Sequence, residues 1–357
     1  MMPAGYAAPA PTAELDALFL PFATGALRLP VDGQVWFFGA RAGVRLREMA
    51  QPGWCCTQDF KPFADALTRE GYAVGAPAPA PEARFAVVAL LPARSREVRR
   101  IQFAQAVQRV SPGGVVLACV ANAEGAKSAQ ADLALLLGPV QSLSKHKCRV
   151  FWATADTIDT SLLAAWGELD TPRMTAAGYL SRPGLFAWDR VDPASALLAS
   201  QLPADLHGRV ADLGAGYGYL ASQVVARCPQ VRSLDLYEAD ARALTPAREN
   251  LVHAVASSGR EVDVEVHWHD VTRGLPERYD AIVSNPPFHF AGRAELPALG
   301  QAFIASAADA LTADGRLLLV ANRQLPYEGV LAARFTQVRQ LALRDGFKAI
   351  EASGVRS

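Results

Sequence analysis

The sequence predicts an α/β protein of two tandem Rossmann-like domains, each a doubly wound, mostly parallel sheet, with the N-terminal one degenerate. Three observations carry that expectation. Short apolar runs rich in β-branched residues alternate with segments of helical spacing, the pattern of a sheet covered by crossover helices. One apolar run feeds a glycine-rich turn at Val210-Ala211-Asp212-Leu213-Gly214-Ala215-Gly216-Tyr217-Gly218. The order of segments in the first half also returns in the second, with its polar landmarks changed.

In chain order, residues 1 to about 12 are Ala/Pro-rich and expected to be a frayed arm. Val31 to Gly43 suits a strand entering a glycine turn, Phe60 to Glu70 an amphipathic helix, and 76 to 81 a Pro/Ala loop. Arg84 to Leu91 is a strand, Glu97 to Val110 a helix, Val115 to Val120 a strand and Ala129 to Leu137 a helix. Lys145 to Trp152 closes this half as one strand. The expected division is a domain at 1–165, a linker and entry segment at 166–200, and a second domain at 201–357. Within the last, strands are expected at Arg209–Asp212, Ser233–Tyr237, Asp263–His267, Tyr279–Val283 and Arg316–Val320. Helices are expected at Asp192–Leu202, Gly218–Arg227, Ala241–Val255 and Pro297–Leu311.

The bulk properties agree with that division. At 357 residues the chain suits about two cores, and 51% hydrophobic content is that of a packed protein. A formal net charge of zero excludes a strongly basic surface gripping nucleic acid everywhere, though not a local patch. Five scattered cysteines without Cys-x-x-Cys spacing suit reduced thiols, not a disulfide framework or a metal site. No apolar run approaches the roughly twenty residues of a membrane span, and no basic-then-apolar leader opens the chain. A cytoplasmic protein is expected.

Laying the halves side by side matches Arg84-Phe85-Ala86-Val87-Val88 to Tyr279-Asp280-Ala281-Ile282-Val283, and Ser111 to Leu117 to Thr312 to Leu318. Val120-Ala121-Asn122 matches Val320-Ala321-Asn322. Where the second half has Asn285-Pro286-Pro287-Phe288, the first has Leu90-Leu91-Pro92-Ala93, and Gly214 to Gly218 corresponds to Gly39-Ala40-Arg41-Ala42-Gly43. The expectation is a duplicated domain that lost its ligand and kept a supporting or substrate-contacting job. Chance likeness between two α/β halves is the alternative.

The glycines of the turn let the backbone approach a ligand, and Glu238, about twenty residues past Gly218, can bind two ribose hydroxyls. Asp270 and Val271 stand after the next strand, placed to meet an adenine amino group and ring. The Gly-x-Gly-x-Gly spacing is not the pyrophosphate fingerprint. Asp212, two residues before Gly214, disfavours a diphosphate and suits a cofactor with a charged amino group. S-adenosylmethionine fits.

Asn285-Pro286-Pro287-Phe288 ends the Tyr279–Val283 strand abruptly, because prolines donate no ladder bond and push Asn285 into extended backbone. A conjugated amine is a poor nucleophile. If the Asn285 amide oxygen and the Pro286 carbonyl accept its hydrogens, its lone pair can turn toward an electrophilic methyl group. Phe288 can stack on a planar target, a contact of roughly 1–3 kcal/mol for a base. An ordinary Pro-Pro turn with a core phenylalanine is the plain alternative.

Together these residues resemble the class I S-adenosylmethionine-dependent methyltransferases, and specifically the RsmC-like family that makes N2-methylguanine in small-subunit ribosomal RNA. The resemblance spans about Gly184 to Ala352 and includes Pro183-Gly184-Leu185-Phe186, Ser284 to His289, Val320 to Tyr327 and Gly346 to Ala352. It implies S-adenosylmethionine as cofactor, held by Asp212, Gly214, Gly216, Gly218, Glu238, Asp270 and Val271, and a guanine held by Asn285, Pro286 and Phe288. Ribosomal RNA within the small subunit is the implied partner. Arg94, Arg96, Arg99 and Arg100, or Lys145, Lys147 and Arg149 along one strand, are candidate RNA contacts, with a solvated charged face as the alternative. His289 suits a pocket wall better than a general base. A large-subunit guanine, a protein glutamine or a DNA adenine remain open as acceptors, and a non-catalytic assembly factor as another class. Internal pairing of the two halves favours a monomer.

Overall fold

Each half folds around its own seven-stranded sheet, and the two sheets have the same strand order. The computed structural model describes residues 13–30, 34–75, 79–287 and 297–356. The first unit runs to Thr171 and the second begins at Pro172.

Strands of the first unit are β1 (Val35–Phe38), β2 (Cys55–Thr57), β3 (Val74–Gly75), β4 (Phe85–Leu90), β5 (Val110–Ala121), β6 (Gln141–Lys145) and β7 (Cys148–Thr154). Its helices are α1 (Ala13–Leu18), α2 (Leu20–Ala23), α3 (Val44–Met49), α4 (Lys61–Arg69), α5 (Arg96–Arg109), α6 (Ala126–Leu137) and α7 (Thr160–Glu168). The order β3-β2-β1-β4-β5-β7-β6 is parallel through β5, and β7 then runs antiparallel to β5.

The second unit opens with a ribbon of β8 (Arg173–Met174) and β9 (Leu180–Ser181). Its sheet holds β10 (His207–Leu213), β11 (Gln230–Glu238), β12 (Asp263–Trp268), β13 (Tyr279–Ser284), β14 (Leu311–Asn322), β15 (Phe335–Arg344) and β16 (Phe347–Val355). The helices are α8 (Pro193–Ser200), α9 (Tyr219–Arg227), α10 (Ala241–Ser258), α11 (Pro297–Ala310) and α12 (Glu328–Arg334). The order β12-β11-β10-β13-β14-β16-β15 repeats that of the first unit. Val210, Leu234, Ala281 and Val283 face one core, and Ala211, Leu213, Tyr237 and Ile282 the other. Both faces are therefore dry, which is why these strands read as continuous apolar runs. At roughly 1.5–3 kcal/mol per fully buried large aliphatic or aromatic side chain, such packing is the main force holding the sheet.

The repeat extends to burial. β4 and β13 share one six-residue pattern of buried and half-buried positions, and β5 and β14 share one twelve-residue pattern. Strand register also corrects two matches. Because Leu90 aligns with Ser284, Asn285 corresponds to Leu91 and Pro286 to Pro92, one residue later than sequence matching suggests. Likewise Ala121 takes the place of Asn322, so Val120-Ala121-Asn122 is shifted by one against Val320-Ala321-Asn322. The match of Gly39 to Gly43 with Gly214 to Gly218 agrees with the register.

Other expectations change. Lys145 to Trp152 is not one strand: His146 and Lys147 both take positive φ and make a tight hairpin turn between β6 and β7. Lys147 therefore does not share a strand face with Lys145 and Arg149, and Arg149 bonds Gln130 at 2.8 Å. Residues 166–200 are not a linker either. Trp166 on α7 is buried in the core of the first unit, while β9 and α8 pack on the second. Nor is the arginine cluster an open basic patch. Arg96, Arg99 and Arg100 converge on the fully buried Asp132 at 3.0–3.2 Å, and Arg99 is itself 2% exposed. Arg94 lies 3.6 Å from Glu124. Burial alone would raise the Asp132 pKa, but hydrogen bonds from the three guanidiniums outweigh it and hold the carboxyl below its usual range. Among the described residues no helix is long and apolar enough to cross a membrane.

Candidate active site

β10 and β13 are neighbours at the centre of the second sheet, and their C-terminal ends are where an open α/β sheet presents ligands. The Ser284 hydroxyl donates to the Leu213 carbonyl at 2.8 Å and ties the two ends together. Asn285 follows, half-buried, then buried Pro286 and exposed Pro287. Phe288 and His289 lie outside the described residues.

The Asn285 amide is held by an element that the sequence did not point to. Its Nδ2 donates to Asp192 Oδ2 and to Ser195 Oγ, both at 2.9 Å. Asp192 is also the N-cap of α8, accepting from the Ser195 amide at 2.8 Å, with Pro193 in the first turn. With both amide hydrogens engaged, Oδ1 is the end of the side chain directed away from these partners. The cap signal Asp-Pro at the start of a helical run is legible in the sequence, but its 93-residue reach to Asn285 is not.

On the β10 side, Asp212 is 1% exposed. Its Oδ2 accepts from the Ala221 amide in the first turn of α9 at 3.0 Å, while the buried Oδ1 has no hydrogen-bond partner among the described residues. Burial pushes its pKa up to about 7; the Ala221 hydrogen bond works against this and the Glu238 charge adds to it. An orphaned carboxylate oxygen beside a ligand-facing turn suits a cationic amino group, whose charge would favour the ionised form. Gly216 has φ +55° and a Cβ there would project into open space, so backbone forms this wall of the cradle. Gly218 has φ +85° and lets α9 pack closely on Ala247 and Leu251 of α10.

Glu238 ends β11 and accepts from the amides of Gly216 at 2.7 Å and Asp240 at 2.8 Å, so it braces the turn and faces the same cradle. Burial raises its pKa, in opposition to those backbone bonds. Asp270 is 6% exposed and caps the short turn after β12, its Oδ1 accepting from the Thr272 amide and hydroxyl at 3.0 and 2.6 Å. Val271 is buried against the core that contains Leu213 and Tyr237. The structure thus gathers Asp212, Gly214, Gly216, Gly218 and Glu238 around one turn, with Asn285 and Pro286 at the adjacent strand end. Asp270 and Val271 stand past β12, on the far side of β11.

Two further residues complete the frame. Asn250 on α10 donates to the Leu180 and Tyr217 carbonyls and accepts from the Leu180 amide, each at 2.8 Å. Tyr217 in turn donates to the Arg190 carbonyl at 3.0 Å, lashing the segment before α8 to the glycine turn. The cradle is polar and preorganised, and its donor set fits S-adenosylmethionine.

The first unit keeps the scaffold and lacks the chemistry. By register Phe37, Arg41, Gln58 and Leu91 stand at the positions of Asp212, Gly216, Glu238 and Asn285. Gln58 still accepts from the amide two residues on (Phe60, 2.8 Å), as Glu238 does, but its other end donates to the Ala40 carbonyl at 2.7 Å. The guanidinium of Arg41 lies 4.1 Å over the Phe63 ring.

Comparisons with known proteins bear on the fold and the family. The methyltransferase small domain family matches residues 177–351. The chain is 34% identical over 268 residues to the ribosomal RNA small subunit methyltransferase C of Pseudomonas paraeruginosa, covering 74% of this chain and 77% of that protein. It is 30% identical over 264 residues to the protein of the same name from Serratia proteamaculans, covering 74% and 73%. Among solved structures, the T. thermophilus 16S rRNA N2 methyltransferase (RsmC), in complex with AdoMet and guanosine, superposes with a TM-score of 0.76 at 22% identity, over 96% of this chain and 92% of that one. Likeness at this level to two relatives, over about three quarters of their length, shows that the chain belongs to the ribosomal RNA small subunit methyltransferase C family.

Proposed function

We propose that this chain transfers a methyl group from S-adenosylmethionine to the exocyclic N2 amine of a guanine in 16S ribosomal RNA, with all of the chemistry in the second unit. The observation that carries this is the Asn285 corner, where both amide hydrogens are engaged by Asp192 and Ser195, so that the amide oxygen, with the Pro286 carbonyl, can serve as acceptor. The T. thermophilus protein of like fold, bound to AdoMet and guanosine, supports the choice of cofactor and base.

S-adenosylmethionine, when bound, supplies an electrophilic methyl group. Asp212 would hold its amino group, Glu238 its ribose, and Asp270 and Val271 its adenine. Asn285 Oδ1 and the Pro286 carbonyl would accept the two N2 hydrogens, and the lone pair would thereby be aimed. Such positioning contributes several kcal/mol, up to roughly 7–11 in favourable cases. No strong base is needed during attack, because the nitrogen becomes acidic only once methylated. The guanine has to leave its stack to reach the corner, at about a few kcal/mol, less if unpaired. The first unit is a non-catalytic duplicate whose remaining job is structural support or substrate contact. The enzyme works in the cytoplasm as a monomer on RNA of the small subunit.

Deleting the gene is expected to remove one N2-methylguanine from 16S RNA, as read by mass spectrometry, with restoration by the wild-type chain. An unchanged nucleoside profile would sink the proposal. A second expectation tests the cofactor cradle. Glu238→Gln should fold as wild type, because Gln58 already braces the equivalent turn of the first unit. Its affinity for S-adenosylmethionine should fall roughly 10–100-fold, from losing hydrogen bonds to a charged acceptor. Calorimetry should give one cofactor per wild-type chain. Two per chain, or unchanged affinity in the variant, would contradict this division of labour.

A further inference from the structure

We propose that Asp192 and Ser195 are positioning residues for methyl transfer, holding the Asn285 amide so that its oxygen and not its nitrogen meets the acceptor amine. This rests on the placement of Asn285 at the base under the proposed function.

The two ends of a carboxamide are nearly the same size, and rotation about the last side-chain bond exchanges an acceptor for a donor. For an amine target the exchange is fatal: an N–H would face N–H hydrogens, and the lone pair would be drawn toward the amide and away from the methyl group. Steric fit alone does not choose between the two orientations. A carboxylate does, because it can only accept. Asp192 Oδ2 lies 2.9 Å from Asn285 Nδ2, and Ser195 Oγ takes the second hydrogen at 2.9 Å. The carboxylate is itself fixed by the Ser195 amide at 2.8 Å, and Ser195 is 8% exposed. Every member is locked by a neighbour on α8, a regular element rather than a loop. The negative charge acts in the same sense, because hydrogen bonding to an anion polarises the amide and enriches electron density on Oδ1.

Asp192→Ala is expected to lower single-turnover kcat about 10–100-fold, the scale of a misaligned reacting group. Cofactor affinity by calorimetry and KM for small subunits should stay near wild type. Asp192→Asn, which keeps an acceptor oxygen and the cap, should recover most of the loss. Ser195→Ala, which leaves the Asp192 cap in place, should cost several-fold with an unchanged Tm. The decisive comparison is with Asn285→Ala: in that background Asp192→Ala should have almost no further effect on turnover. Multiplying losses in the double variant would overturn the proposal, since Asp192 would then act independently of Asn285. So would full activity of Asp192→Ala beside an inactive Asn285→Ala. Full activity of Asn285→Ala would overturn the underlying assignment and this inference with it.

Discussion

Replacing Asn285 with alanine is expected to reduce kcat by roughly 100–1000-fold, the usual cost of deleting one preorganised polar group at a reacting centre. The corner should otherwise persist. Pro286 and Pro287 restrict their own backbone, and the Ser284 hydroxyl still holds the Leu213 carbonyl. The cofactor cradle of the proposed function would draw on β10, β11 and the turn after β12, whose hydrogen bonds do not use the Asn285 side chain. S-adenosylmethionine affinity should therefore stay within about twofold of wild type, the signature of an interaction made at the reacting amine. Calorimetry and single-turnover methylation of small subunits measure the two quantities separately. Lost cofactor binding, or retained turnover, would show that Asn285 belongs to a different part of the site.

The second large effect concerns the first unit. Asp132→Ala should destabilise it by about 3–5 kcal/mol, the scale of breaking a buried ion pair and stranding its partner. Arg99 is the reason: it is 2% exposed and its paired contacts run to Asp132 and Ser128, so it cannot turn to water as Arg96 can. The pH dependence follows from the direction of the shift. The Asp132 carboxyl lies below its ordinary range in the folded state. Its contribution is therefore complete above the unfolded pKa of about 4 and declines as pH falls through the lower folded value. Urea unfolding followed by tryptophan fluorescence should show an acid-labile transition in the wild type that is already weakened at neutral pH in the variant. Equal stability of the two proteins at pH 7 would refute the structural role given to this cluster.

That cluster marks the limit of what charge patterning says. Arg94 to Arg100 contains four arginines within seven residues, and nothing local announces that an aspartate on α6 lies beneath them. The run reads equally as a candidate RNA contact or as a solvated charged face, and the packing of α5 against α6 makes it a structural ion cluster instead. The hairpin between β6 and β7 escaped for a different reason. Its turn residues are His146 and Lys147, not the Asn-Gly or Asp-Gly pair that would have marked positive φ, whereas the equivalent turn of the second unit is Asp345-Gly346. The one-residue offset in the repeat was invisible too, since only strand pairing fixes register when both faces are apolar.

By itself the sequence determined the α/β class, the duplication, the glycine turn with its acidic neighbours, and an Asn-Pro-Pro strand end, because each is written in contiguous residues whose local physics is strong. Proline and glycine set backbone angles without help, and alternating apolar segments have few ways to be buried. Only the tertiary structure decided which way the Asn285 amide points, that one buried Asp212 oxygen has no partner among the described residues, and that Gln58 stands in for Glu238 in the first unit. Those facts depend on hydrogen bonds between residues up to 93 positions apart, and such bonds exist only once β10 and β13 lie side by side and the start of α8 reaches Asn285.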